Sequence, residues 1–325
     1  MELGVSTAAS VVTAARGDVP HGDVPHAGAT ERAITEHILA LADRAGYGAA
    51  LIDAAGGAGT AVTTWPQFAD TVRAAARGLS RRGLLDTDTV GVLVGDAVSH
   101  AVATAAIRAA GAIAAPIHPP AGLSAADLSA ADLSAAGTVT ADIAAQLKQC
   151  RARLLITSAA LAEVAIQAAE RSWVRQVIAF GEAEGTTPFS ALLETAKHRH
   201  HAGINGNGNG HGSHNGHGSH TGGPGLSGHG DEVRGSVTPQ IPGRTADRPA
   251  LRLTSRDVVV AGPPCGRDGT YTSLLDLTLC AGATVVAAPL AQITAAVEAY
   301  KGTAAIVPRG TEIPVLPADR ILTVG

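Results

Sequence analysis

TWPQFADTVRAAARGLSRRGLLDTDTVGVLVGDAVSHAVATAAIRAAGAIAAPIHPP occupies residues 64–120, and TVTADIAAQLKQCRARLLIT occupies 138–157. These two segments set the fold class. Phe68, Val72, Ala75 and Leu79 fall at i, i+4, i+7 and i+11, one face of a helix. Thr64 can cap its start, Pro66 suits its first turn, and Gly83 can end it. Val90-Gly-Val-Leu-Val94 is a short apolar run of the kind found in strands covered on both faces. Asp96 can cap a second helix that ends near Gly111, and Ala112–Ile117 supplies the next strand. Thr140 can cap a third helix, followed by a strand at Leu154–Ile156. Strands alternating with helices predict an α/β fold: parallel sheets with right-handed crossovers.

Upstream, the pattern predicts a helix from Thr30, with Ile34, Ile38 and Leu41 on one face. It also predicts strands at Ala49–Asp53 and Ala61–Thr64, with Gly56–Gly59 as a turn between them. Residues 1–30 carry a tandem Gly-Asp-Val-Pro-His at 17–21 and 22–26 and read as a disordered lead-in. Between Pro119 and Gly137 the pentad Leu-Ser-Ala-Ala-Asp occurs at 123–127 and 128–132, with a partial copy from Leu133. A period of five matches neither a helix nor a strand, so this insert reads as a duplicated surface loop.

Downstream, Ser158–Arg171 reads as a helix and Gln176–Phe180 as a strand. Residues 198–246 form a Gly, His, Asn and Ser-rich linker with too few apolar residues to offset the entropy of ordering. It holds His211, His214, His217 and His220 at three-residue spacing. Clustered imidazoles bind zinc, nickel or copper, but a defined site needs a rigid shell that Gly-Asn linkers do not supply. These histidines are weak metal candidates. From residue 247 order returns, with strands at Pro249–Ser255, Asp257–Gly262, Ala283–Ala288 and Thr303–Val307. Helices fall at Thr272–Cys280 and Ala291–Tyr300, and Ile313–Pro317 and Ile321–Val324 can add edge strands. The division is thus a lead-in over 1–30, an α/β lobe over 31–197, a linker over 198–246 and a partial second lobe over 247–325.

Composition excludes several function classes. The net charge of −4 and the absence of a Lys/Arg cluster give no field for nucleic acid. No stretch reads as a membrane span, because Arg108 and Gly111 interrupt the longest apolar region, 101–117. The N-terminus lacks the basic start of a signal peptide. Cys150, Cys265 and Cys280 are odd in number and form no CxxC pair, which fits buried reduced thiols in a cytoplasmic protein. Aromatics make up only 2% of the chain, so its core must be built from thin aliphatic side chains.

The same stretch resembles the N-terminal part of the AMP-forming acyl-CoA synthetases, the adenylate-forming ligases of the 4-coumarate–CoA ligase-like type. The residues that carry the resemblance are Thr64-Trp65, Ala76–Leu79, Arg82-Gly83, Asp88–Val90, Arg108–Ala112, Gln146-Leu147 and Ala152–Leu155. It resumes at Asp257–Val260 and Ala281–Val286. It implies the ligase N-terminal fold in truncated form, and an ATP, Mg²⁺ and CoA reaction in intact members. In those ligases the strand ending in Thr-Ser feeds a Gly, Ser and Thr-rich phosphate loop with a lysine. Here Thr254-Ser255 runs straight into Arg256-Asp257, and the strand after that resembles the next but one of the family. The adenine motif and the C-terminal lid lysine likewise have no counterpart in this sequence. The three lysines, Lys148, Lys197 and Lys301, fall mid-helix, beside the linker and at a helix end.

One loop argues the other way. Gly262-Pro-Pro-Cys-Gly266-Arg267-Asp-Gly269 joins a strand to a helix, as phosphate-binding turns do, and Arg267 could pair with an anion. It lacks the GK[ST] of a P-loop, its two prolines remove N–H donors, and an ordinary turn is the plainer reading. The ligases have a Pro-x-x-His turn here. Pro263 matches its proline, but Gly266 stands where the histidine would be.

No catalytic residue is assigned. The expectation is a ligase-like protein that does not catalyse and needs no cofactor. It would serve as an interaction module, with an intact ligase paralogue or another protein as partner, or be a degenerate remnant. The alternatives are one part of a split acyl-CoA ligase completed by another chain and, more weakly, metal handling by the histidine tract.

Overall fold

Helix α2 (Trp65–Arg81) forms where its periodicity places it, and Phe68, Val72, Ala75 and Leu79 are all buried. Thr64 and Gln67 make a reciprocal capping box, Pro66 lies in the first turn, and Gly83 takes φ +80° just past the end. The protein is seen here as a computed structural model that describes residues 27–54, 60–118, 133–194, 252–266 and 269–324.

Two sheets organise these residues. In the first, β4 (Ile113–Pro116), β3 (Thr89–Leu93), β5 (Leu154–Ser158), β6 (Gln176–Phe180) and β7 (Thr187–Pro188) lie side by side in that order, all parallel. In the second, β11 (Ile321–Val324), β10 (Ala304–Pro308), β8 (Val258–Ala261) and β9 (Thr284–Ala287) are parallel. They are followed by β1 (Ala49–Asp53), parallel to β9, and β2 (Ala61–Thr64), antiparallel to β1. The sheets therefore do not divide where chain order divides the lobes. The hairpin β1–β2, from the first stretch, completes the sheet of the second.

The layers follow from which faces are apolar. α1 (Ala27–Ala42), α2, α3 (Ala97–Ala109) and α7 (Thr270–Cys280) share one core with both sheets. That core contains Val90, Val92, Leu154 and Ile156 of the first sheet and Leu51, Val259, Val285 and Ile306 of the second. α4 (Leu133–Gln149) and α5 (Ala162–Glu170) cover the other face of the first sheet through Ile143, Leu147, Val164 and Ala165. α8 (Ile293–Tyr300) covers the second through Ile293 and Val297. A short helix α6 (Ser190–Leu193) lies so close to α2 that a Cβ on Gly78 would run into the Leu192 backbone.

Several expectations change. α4 starts seven residues before Thr140, so Thr140 caps nothing. It is buried inside the helix, and its hydroxyl donates to Gln167 Oε1 of α5 at 3.4 Å. The described end of the insert, from Leu133, is helical rather than looped, and residues 119–132 lie outside the described residues. Lys148 sits in the last turn of α4, not at its middle. The part of Pro249–Ser255 that is described, from Arg252, is a turn and not a strand. Asp257 closes this turn by accepting from the Thr254 N–H (2.7 Å) and hydroxyl (2.9 Å). Ile313–Pro317 is irregular: Pro314 and Pro317 cannot donate to a ladder, although Ile313 itself is buried. None of the three cysteines is in a disulfide, but each is only half-buried. α1 begins at Ala27, three residues before the expected Thr30, so the last four residues of the expected disordered lead-in are helical. Residues 1–26, the turn at Gly56–Gly59 and the linker over 198–246, with His211, His214, His217 and His220, lie outside the described residues.

Candidate functional site

In parallel α/β sheets the carboxyl ends of the strands open onto the place where ligands bind. Here those ends gather Asp53 at the end of β1, Asp96 after β3, His118 after β4 and the start of the glycine loop, Gly262–Gly266, after β8. Asp96 caps α3, accepting from the Ser99 N–H at 2.7 Å. Its carboxyl is pushed above the usual range, chiefly by burial against the opposing pull of that N–H, with the Asp53 charge adding to the rise. His118 is fixed by its backbone: its N–H donates to Gln146 Oε1 (3.2 Å) and its carbonyl accepts from Gln146 Nε2 (2.7 Å).

Behind this rim lies a polar cluster between α3 and α7. His100 Nε2 and Thr272 Oγ1 share a hydrogen bond of 2.9 Å, both side chains buried. The imidazole meets the Tyr271 ring edge to face at 5.4 Å between centroids. Tyr271, also buried, donates its hydroxyl to the Gly262 carbonyl at 2.7 Å. Burial drives the His100 pKa down to about 3, helped by the neighbouring His118 and Arg108, so the ring is neutral at pH 7. Burial, then the nearby Cys265 and Asp96, raises the Tyr271 phenol well above its ordinary value. Two turns further along α3 and one turn further along α7, Arg108 donates to Asp276 at 2.7 Å and to Glu31 at 3.1 Å, tying α3 to α7 and α1. Burial pushes the Asp276 carboxyl up in spite of that guanidinium. The triad is a structural clamp with its charges spent on one another.

The loop proposed from sequence is therefore partly placed. Gly262 is buried, and its carbonyl is engaged by Tyr271. Gly266 and Gly269 take φ +79° and +72°, conformations that only glycine adopts without strain. A side chain at Gly269 would meet nothing within 4 Å, so this glycine serves the turn and not the close approach of a neighbour. Arg267 lies outside the described residues. Sequence reasoning missed His100, Tyr271 and Thr272 altogether and saw Asp96 only as a cap. The one available signal was the isolated charge of Arg108 inside an apolar run.

Among the described residues no group of His, Cys, Asp and Glu is arranged to hold a metal ion. No described helix is long and apolar enough to cross a membrane. The described lysines stand far from the rim. Lys148 ends α4 and Lys301 ends α8, and each helix leads into the start of the next strand, at the opposite edge of its sheet.

Comparison with known proteins gives the geometry a lineage. A family model described as AMP-binding enzyme matches residues 42–207. No curated relative matches the chain. Among solved structures, a long-chain-fatty-acid-CoA ligase from Archaeoglobus fulgidus is similar with a TM-score of 0.55 at 16% identity. That match covers 85% of this chain and 51% of the ligase. A benzoate CoA ligase from Burkholderia xenovorans is similar with a TM-score of 0.53 at 17% identity, over 89% of this chain and 54% of the ligase. The chain thus spans about half the length of these structures, and the likeness is one of fold.

Proposed function

Since the chain belongs to the AMP-binding enzyme family, we propose that it serves as a binding and interaction module on that scaffold and forms no acyl-adenylate. Adenylate formation joins a carboxylate oxygen to the α-phosphorus of ATP and expels pyrophosphate. It needs N–H donors, hydroxyls and cations aimed at the phosphates, with Mg²⁺ between them.

The observation that supports the reading is the fit of the described residues to such a group, which is poor. The loop after β8 offers two prolines without N–H groups, and its Gly262 N–H is already donated to the Ile306 carbonyl at 2.9 Å. Where a phosphate loop would follow Thr254-Ser255, the chain turns at once through Asp257 into β8. Both described lysines lie at the wrong edge. We therefore derive no step through ATP, Mg²⁺ or CoA. The module's partner in this proposal is another protein, with an intact ligase of the same fold as the first candidate. Its place is the cytoplasm, where three cysteines outside any disulfide are at home.

The test is ATP–pyrophosphate exchange by the purified chain over a panel of aliphatic and aromatic carboxylates. We expect background rates throughout. A substrate-dependent rate would overturn the proposal. A rate that appears only when a second ligase chain is added would replace it with a split enzyme. Melting with and without Mg-ATP, CoA and a non-hydrolysable acyl-adenylate analogue gives an independent reading, because a ligand of the native state raises the midpoint by mass action. No shift is expected.

A further inference from the structure

The opposite edge of the first sheet holds a second feature that the proposed function does not use. Three neighbouring strands, β3, β5 and β6, begin there side by side. The residues just before them or at their starts are Asp88, Arg153 and Arg175. The backbone ties the three together: Arg153 N–H donates to the Thr89 carbonyl (2.9 Å) and Arg175 N–H to the Arg153 carbonyl (2.8 Å). The end of α2 brings in Arg82 from the side. Together these residues line an open cavity of about 410 Å³, with Leu84, Leu154 and Gln176 among its walls.

The charges in this cavity do not cancel. Arg153 pairs with Asp88 at 2.7 Å. Arg82 is held by neutral acceptors, the carbonyls of Gly78 (3.4 Å) and Ala191 (3.3 Å), which fix its direction, and it makes no ion pair among the described residues. Arg175 is exposed and makes no ion pair among the described residues. It lies near enough to Asp88 to act on it. Burial would raise that carboxyl, but the Leu85 N–H, then Arg153 and Arg175, hold it below the usual range. Three guanidinium groups and one carboxylate thus line the same cavity. Two are held by contacts of their own, and holding like charges together is unfavourable unless something between them carries the opposite sign.

We propose that this cavity binds the dianion of a phosphomonoester, with the phosphate between Arg82, Arg153 and Arg175 and a small apolar group over Leu84 and Leu154. The excess of two positive charges matches one phosphate dianion, and guanidinium forks suit its oxygens. The volume lies within the range of small-molecule sites. Gln176, whose amide N–H donates to Thr187 Oγ1 (2.8 Å), keeps its oxygen as an acceptor for a ligand hydroxyl.

The experiment is calorimetric titration of the full chain with phenyl phosphate, alongside inorganic phosphate and phenol as the two halves of the ligand. One saturable site is expected for phenyl phosphate, with weaker binding of phosphate and none of phenol. Arg175→Ala should weaken it at least about tenfold, since charge-assisted pairs are worth more than the 1.4 kcal/mol of that factor. Because Arg175 is exposed, its loss should leave the melting temperature unchanged. Arg309→Ala, an exposed arginine after β10 at the other edge of the other sheet, should bind as the parent does. Non-saturating heats, or equal weakening by both variants, would overturn the site and leave only general charge attraction. Neither result bears on pyrophosphate exchange.

Discussion

His100 shows what a buried residue does to the whole stability curve. Its ring is neutral in the fold, with a pKa near 3 against an ordinary 6.5. Between those values the unfolded chain binds a proton that the native state refuses, so stability falls as pH is lowered through 6.5. At pH 5 this one group costs about 2 kcal/mol relative to pH 7. Melting between pH 7 and 5 should show the decline, and His100→Gln should flatten it. An unchanged slope in that variant would assign the acid sensitivity to other groups. His100 was invisible in the sequence for a plain reason. Its partner Thr272 is 172 positions away, and no local pattern encodes a contact at that range. Asp96 and Thr64, whose partners are three residues off, were readable as caps from the sequence alone.

At the scale of elements, the helices and strands from Thr64 to Leu93 stand where periodicity and caps put them, because each is decided within its own few turns. The capping box tests this. Thr64→Ala removes the acceptor for the Gln67 N–H and should cost about 1 kcal/mol, measured by denaturant unfolding. A cost near zero would mean that packing of Trp65 and Phe68, not the cap, fixes the helix start. The misread elements are those whose local signal competes with tertiary burial. Thr140 is as good a cap as Thr64 by type. In the fold, however, the helix runs on through it, because Val139, Thr140 and Ile143 are needed on the buried face of α4. Ile313 looked like a strand residue because it is apolar. It is buried from a turn instead, since the prolines around it refuse a ladder.

For the molecule as a whole, the parallel α/β class was legible, and so was the resemblance to acyl-CoA ligases that the family match bears out. The layering was not, because it depends on which sheet the β1–β2 hairpin joins, and both sheets offer an apolar face. The shared central core predicts one cooperative melting transition rather than two. The Arg108 clamp spans three helices of that core. Asp276→Ala should therefore lower the melting point of the entire protein, by an amount equivalent to about 3 kcal/mol. That is the low end for a broken buried pair, because Glu31 still faces the guanidinium. Two separate transitions, or a loss confined to one of them, would show that the sheets fold independently.

The placement of that hairpin also has a consequence in time. Ala49 of β1 accepts from the Thr284 hydroxyl of β9, 235 residues later in the chain. The first sheet can close on the ribosome once residue 188 has emerged. The hairpin must wait for β9, which at ordinary rates of synthesis takes on the order of 10–50 s. For roughly the last 5–20 s of that interval Leu51 and Ile52 present an open, apolar strand edge beside a finished half-protein. The nascent chain is thus most exposed to chaperones, and to wrong partners, before its last strands are made.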